Sequence, residues 1–208
     1  MTKLFATATF AAGLALATIG SAQATAINFS SANNPLGVSQ AYGPITAYGF
    51  VSTSKSMPGK LLANNLYYKT GGGGETGLGL SMTNDNEINV PAGSQAIVLD
   101  VSNLIGQDLS IGFGSVQTGE DWKIGFDPTA GLPTNESAFS NYKTGNTAFP
   151  AMVDLGVNSS RFLILEAVSG NVLLTSLSST AVPEPASMAL VGAGLLGLGY
   201  FRRRNSRN

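Results

Sequence analysis

The side chains with the most chemical scope in this sequence are carboxylates. Glu75, Asp85 and Glu87 fall in GGGGETGLGLSMTNDNEI, residues 71–88, together with Asn84 and Asn86. Oxygen donors at that density are what Ca²⁺ collects, roughly six to eight at a time. The spacing departs from the D-x-[DN]-x-[DN]-G-x₅-E order of an EF-hand loop. The plainer reading is a glycine-rich turn carrying solvated carboxylates, with calcium binding as the alternative. A second acidic pair, Glu120 and Asp121, directly precedes Trp122. Two carboxylates beside an aromatic ring are the equipment of a glycosidase. Neighbouring strand residues point to opposite faces, however. Glu120 and Asp121 therefore cannot act as the pair, and Asp85, Glu87 or Asp127 would have to come close. Trp122 alternates with core-type residues and reads as core. Tyr42, Tyr48, Tyr67 and Tyr68 would suit a carbohydrate-binding face if they shared one.

Composition removes most other chemistry. The chain has neither histidine nor cysteine. A Ser-His-Asp triad, a Cys-His pair and a histidine-bound zinc are therefore excluded, and so is any disulfide framework. Between residues 25 and 181 there are six basic residues and eleven acidic ones, a net charge of −5. Clustered Lys and Arg are needed to neutralise nucleic-acid phosphates, so no nucleic-acid partner is expected. The expectation is a non-enzymatic protein without a cofactor. A carbohydrate- or calcium-binding module and a carboxylate-dependent hydrolase are the alternatives.

The elements that must hold these residues read as strands. Leu78, Leu80 and Met82 alternate with small residues. So do Leu109, Ile111 and Phe113. Ile97, Leu99 and Val101 form a third set, and Trp122, Ile124 and Phe126 a fourth. A period of two puts each set on one face of a half-buried sheet. Phe162 to Leu165 is apolar on both faces, as a central strand would be. Ser169-Gly170-Asn171 then turns the chain into Val172 to Leu177, a pattern that predicts a terminal hairpin. Weaker strands are expected over 27–30, 47–51, 61–68 and 87–90, and a long irregular loop over 128–150. The fold class is all-β, an antiparallel and jelly-roll-like β-sandwich.

The two ends have a different character. Lys3, the apolar run 4–19 and Ala22-Gln23-Ala24 read as a secretory signal peptide over 1–24, with Thr25 beginning the mature chain. Ala24-Thr25-Ala26 offers a second cleavage site. The body then occupies 25–180. At the other end, residues 186–201 carry no charge and precede Arg202, Arg203, Arg204 and Arg207. A membrane helix needs about 17 apolar residues or more, so this run is at the short limit. Arginines after it stay cytoplasmic and place the body on the far side. Gly192, Gly194 and Gly197 match G-x-G-x-x-G, but no βαβ unit can follow so near the basic tail.

Pro183-Glu184-Pro185, the short apolar helix and the arginines together resemble the PEP-CTERM sorting signal of Gram-negative bacteria. They do so over 181–208, with the motif at 182–185, the helix at 186–201 and the tail at 202–208. The stretch 71–88 also resembles segments of exported β-sandwich domains of that kind, for which no activity is assigned. The resemblance implies processing by exosortase, a membrane protease. It also implies transient membrane anchoring through the helix, then a cell-surface or extracellular location beside exopolysaccharide, as in a biofilm matrix.

Overall fold

A computed structural model of the chain describes residues 24–29, 36–53, 59–71, 75–81, 85–90, 95–148, 151–182 and 192–195. The chain divides into two units, one of residues 22–182 and one of residues 1–21 with 183–208. In the second unit only the exposed helical turn 192–195 is described. Of the expected helix 186–201 only that turn is described; the N-terminal helix, Ala22, Pro183, Glu184, Pro185, Met82, Asn84 and Arg202 to Arg204 lie outside the described residues.

The first unit is built of strands. In chain order they are β1 (Ala24–Asn28), β2 (Ser39–Tyr42), β3 (Ile45–Ser52), β4 (Leu61–Ala63), β5 (Leu66–Lys69), β6 (Gly77–Leu80) and β7 (Ile88–Asn89). They continue with β8 (Gln95–Asp100), β9 (Gln107–Gly114), β10 (Asp121–Asp127), β11 (Ser140–Gly145), β12 (Val153–Val157), β13 (Phe162–Ser169) and β14 (Asn171–Ala181). Two antiparallel sheets result. Sheet A runs β12-β9-β14-β6-β5, with β1 and β7 also paired to β14. Sheet B runs β11-β10-β13-β8-β3-β2, with β4 paired to β3.

The period-two sets meet between the sheets. Leu109, Ile111 and Phe113 of β9 join Leu78 and Leu80 of β6 and Leu174 of β14. From sheet B come Ile97 and Leu99, Trp122 and Ile124, and Leu163 and Leu165. This is the dry interior of a β-sandwich. Trp122 lies flat on Phe113, with ring centroids 4.9 Å apart and planes 7° from parallel. Its Nε1–H donates to the Thr147 carbonyl at 3.1 Å. As its two-sided pattern predicts, β13 is central in sheet B. Its other face, Phe162 and Ile164, packs with Phe50, Val98, Leu61 and Phe139 in a second, outer core.

Three expectations are corrected. First, β13 and β14 are not a hairpin. β13 pairs with β10 and β8, and β14 with β9, β6, β7 and β1. Gly170, at φ +65°, turns the chain from one sheet to the other. Alternation identifies a strand but not its partner, and here each strand has better apolar neighbours in a different sheet. Second, 61–68 is two strands in two sheets, because Asn64 and Asn65 interrupt the pairing. Third, 128–150 is not irregular throughout. It contains a 3-10 turn (Glu136–Ala138) and β11, which closes the edge of β10.

The ends of this unit lie together. Ala24 opposes Thr180 and Asn28 opposes Ser176 in the β1–β14 ladder.

Candidate functional site

The stretch 71–88 builds a site, though not the solvated one expected. Leu66, Leu78, Leu80 and Leu174 point into the main core. By alternation, Tyr67, Lys69, Gly77, Gly79, Leu173 and Asn171 lie on the opposite face of sheet A. Lys69 sits opposite Gly77, and Tyr67 opposite Gly79. The segment leading into β7 crosses this bare backbone. A Cβ on Gly79 would stand 2.2 Å from the Asn86 carbonyl oxygen and 2.9 Å from Glu87 Cα. Glycine is therefore what admits Glu87 to the sheet surface, where it is 1% exposed.

Glu87 has a partner on every side. Lys69 Nζ donates to Oε1, and Ser115 Oγ donates to the same atom at 3.0 Å. Asn171 Nδ2 donates to Oε2 at 2.6 Å. The second Nδ2 hydrogen of Asn171 goes to Asp85 Oδ2 at 3.1 Å, an oxygen that Asn89 Nδ2 also reaches at 3.3 Å. Glu75 Oε2 lies 3.2 Å from Lys69 Nζ and is 42% exposed. Burial pulls the Lys69 ammonium down, but hydrogen bonds to Glu87 and Glu75 outweigh it and hold the pKa above its ordinary value. The structure thus brings Glu75 and Glu87 together around an ammonium, with Asp85 one amide away. Among the described residues no group of three or more acids, histidines or cysteines is arranged to hold a metal ion. Lys69 pairs with Glu75 and Glu87.

The other sequence candidates serve turns and core. Glu120 Oε1 accepts from the Asn171 backbone N–H at 3.3 Å, and Oε2 from that of Gln117 at 2.7 Å. Asp121 Oδ2 accepts from Ser169 Oγ at 3.1 Å. Asp127 is buried and binds the Thr129 N–H and hydroxyl at 2.9 and 2.8 Å. The tyrosines do not share a face. Tyr42 is in the main core, edge-on to Phe29 at 5.0 Å, and Tyr48 packs on the outer core of sheet B. Adjacent residues of β5, Tyr67 and Tyr68 point to opposite sides.

Sequence reasoning missed a second buried cluster, on the outer face of sheet B. Lys123 and Glu166 oppose each other across β10 and β13. Lys123 Nζ lies 3.0 Å from Glu166 Oε2 and 4.8 Å from the centre of the Tyr142 ring. Apart from this ion pair, no donor among the described residues reaches the Glu166 oxygens. Glu136, 1% exposed, accepts from the Gly59 N–H through Oε2 at 2.7 Å, and its Oε1 has no donor. Burial pushes the Glu166 carboxyl up to about 7; Lys123 opposes this and Glu136 adds to it. Burial, with Glu166 and Glu136 nearby, likewise pushes the Tyr142 hydroxyl up to about 12. The available signal was Glu166 itself, an acid directly after the apolar run FLIL.

The C-terminal end completes the inventory. β14 ends at Ala181, and Val182 is 43% exposed. Proline supplies no N–H to a ladder, so a strand running into Val182-Pro183-Glu184-Pro185 has to stop. Residues 181–204 match the PEP-CTERM protein-sorting motif. The chain therefore carries the signal of an exported protein that is anchored in the membrane and processed by exosortase. The PEP-CTERM match begins at the last residue of the last strand. No curated protein and no solved structure matches the chain. Among the described residues no helix is long and apolar enough to cross a membrane.

Proposed function

We propose that residues 25–180 are a non-enzymatic β-sandwich, delivered through the PEP-CTERM tail to the cell surface or extracellular polysaccharide matrix of a Gram-negative bacterium. Residues 1–24 are the signal peptide, removed after Ala24. Exosortase cuts the tail near Pro183-Glu184-Pro185. The observation that carries this reading is the position of the match: it starts where β14 stops. The tail can then be removed without cutting a strand. The acidic body supports the reading, since it lacks the basic surface that nucleic acid needs. So does the use of Glu120, Asp121 and Asp127 as turn and loop ligands. The test is the intact mass of native protein recovered separately from cells, extracted polysaccharide and medium. The expected species lacks residues 1–24 and the basic tail and is found outside the cell. A membrane-bound protein that retains Arg202 to Arg204 would overturn the proposal.

A further inference from the structure

Lys69, Glu87 and Asn171 are a set that can react with itself. We propose that Lys69 Nζ and Asn171 Cγ become joined in an intramolecular amide, with Glu87 as the proton carrier, so that the mature body holds a covalent crosslink between β5 and β14. The argument rests on four observations. First, one carboxylate bridges the two reactants: Oε1 accepts from the lysine and Oε2 from the asparagine amide. Second, that carboxylate is withdrawn from water, and Lys69 is 19% exposed. Third, Asn171 is fixed before any reaction. Its amide hydrogens are held by Glu87 and Asp85, and its backbone N–H by Glu120. Such fixation turns a bimolecular aminolysis into a unimolecular one, the largest rate effect available without a cofactor.

The fourth observation is local strain. Three non-glycine residues among those described have positive φ: Asn86, Ser115 and Asn141. Two of them belong to this site. Asn86, at 57°, immediately precedes Glu87, and Ser115, at 57°, donates its hydroxyl to Glu87. Left-handed backbone at a non-glycine residue costs energy and persists where the surroundings impose it, commonly at reactive sites. Gly79 adds to this by leaving room for Asn86 and Glu87 against β6.

The step balances without an oxidant or a co-reactant. The Lys69 ammonium passes a proton to Glu87 along their existing hydrogen bond, which frees the nitrogen lone pair. A desolvated lysine amine is a competent nucleophile. Nζ attacks Asn171 Cγ, and a new C–N bond forms. Glu87 then protonates Nδ2, and the Cγ–Nδ2 bond breaks. In all, two of the three ammonium protons reach the departing nitrogen, which leaves as ammonium. The third remains on the new amide, and Glu87 ends as the carboxylate it began as. The raised pKa of Lys69 makes the first transfer the demanding one, so removal of Glu87 is expected to abolish the reaction. In a chain without cysteine, this bond is a covalent staple that side chains alone can make.

The experiment is accurate mass of the purified full-chain protein under denaturing conditions, then tryptic mapping. The expected protein is lighter than its own sequenced ends require by the mass of one ammonia. The free fragment 61–69 is absent, and a single species joins residues 61–123 to the fragment beginning at Phe162. Glu87→Gln and Lys69→Arg, which keep shape and charge respectively, are expected to restore the full mass and the free fragments. A wild-type protein of full mass with free 61–69 would overturn the proposal. A linked Glu87→Gln protein would overturn the role given to Glu87. Both results are independent of where the tail is cut, because Asn171 precedes it.

Discussion

Each sheet of this body holds one half-buried lysine against a buried glutamate on its outer face, and the two sites have opposite chemistry. On sheet A, Lys69 meets one buried carboxylate, Glu87, whose other oxygen is taken by the Asn171 amide. Both oxygens of that buried carboxylate receive donors, and the further acids of the site, Glu75 and Asp85, are more open to water. On sheet B, Lys123 meets Glu166 Oε2 with Glu136 close by, and the other Glu166 oxygen and Glu136 Oε1 receive no donor among the described residues. There both acids are buried, and burial raises the Glu166 carboxyl to about 7. The third member decides the outcome. An amide beside the ion pair gives a complete network open to attack at carbon, whereas a second acid gives a proton trap.

The contrast is broken most severely by removing its lysines. Measured against Lys69→Arg, which keeps the cation and forms no crosslink, Lys69→Met leaves Glu87 buried without a cation, and the expected loss of unfolding free energy at pH 7 is about 3–5 kcal/mol. Lys123→Met should lose less when measured at pH 5, because Glu166 answers by taking a proton. Urea unfolding of both variants at pH 5 and 7 checks this, and equal losses at both pH values in both variants would erase the distinction.

The next effect is the pH dependence of the wild type. Glu166 has an ordinary value of 4.5 and a folded value of about 7. The folded state therefore prefers the proton. The stability this confers is whole below pH 4.5 and is lost as pH rises through 7, by at most about 3 kcal/mol. Asp100 works the other way. Burial pushes it up, but hydrogen bonds from Arg161 and Ser102 hold its pKa below 3.8, so its contribution falls away only in stronger acid. Between pH 4.5 and 8 Glu166 contributes a falling slope, and Glu166→Gln is expected to reduce it and to raise the urea midpoint at pH 8.

Two smaller effects sharpen the sheet A site. Gly79→Ala puts a methyl group against the Asn86 carbonyl, and the expected cost is about 1–3 kcal/mol, read as a lowered Tm. In Lys69→Arg, where the cation is kept and no crosslink forms, Glu75→Gln removes a half-exposed ion pair with residue 69 and is expected to cost under about 1 kcal/mol. A larger loss from Glu75 than from Gly79 would place the centre of the site at the wrong carboxylate.

Where burial is set by a strand's own alternation, the sequence was readable. Leu109, Ile111, Phe113, Trp122 and Ile124 face the main core as their spacing requires, and FLIL announces a central strand. The PEP-CTERM end was readable because its three parts are contiguous. Glu87 was not, because the polar run Asn84-Asp85-Asn86 leads into it. Its burial comes from Gly79, which exposes a backbone it can lie on, and from Asn171, far along the chain. Glu136 and Glu166 are brought together by a crossing of the chain that no local period records. The turn at Gly170 was recognised, but its destination depends on which sheet offers the next strand its neighbours.

β14 is both the last strand and an inner one. Along its final residues it is laddered to β1 on one side and to β9 on the other. Ladder hydrogen bonds lie across the strands, so a pull on the tail directed along β14 loads both ladders in shear, many bonds at once, and none peels open first. A pull that separates residue 24 from residue 180 would instead unzip β1 one pair at a time. The body is thus mechanically strong toward its C-terminal tether and weak between its two ends.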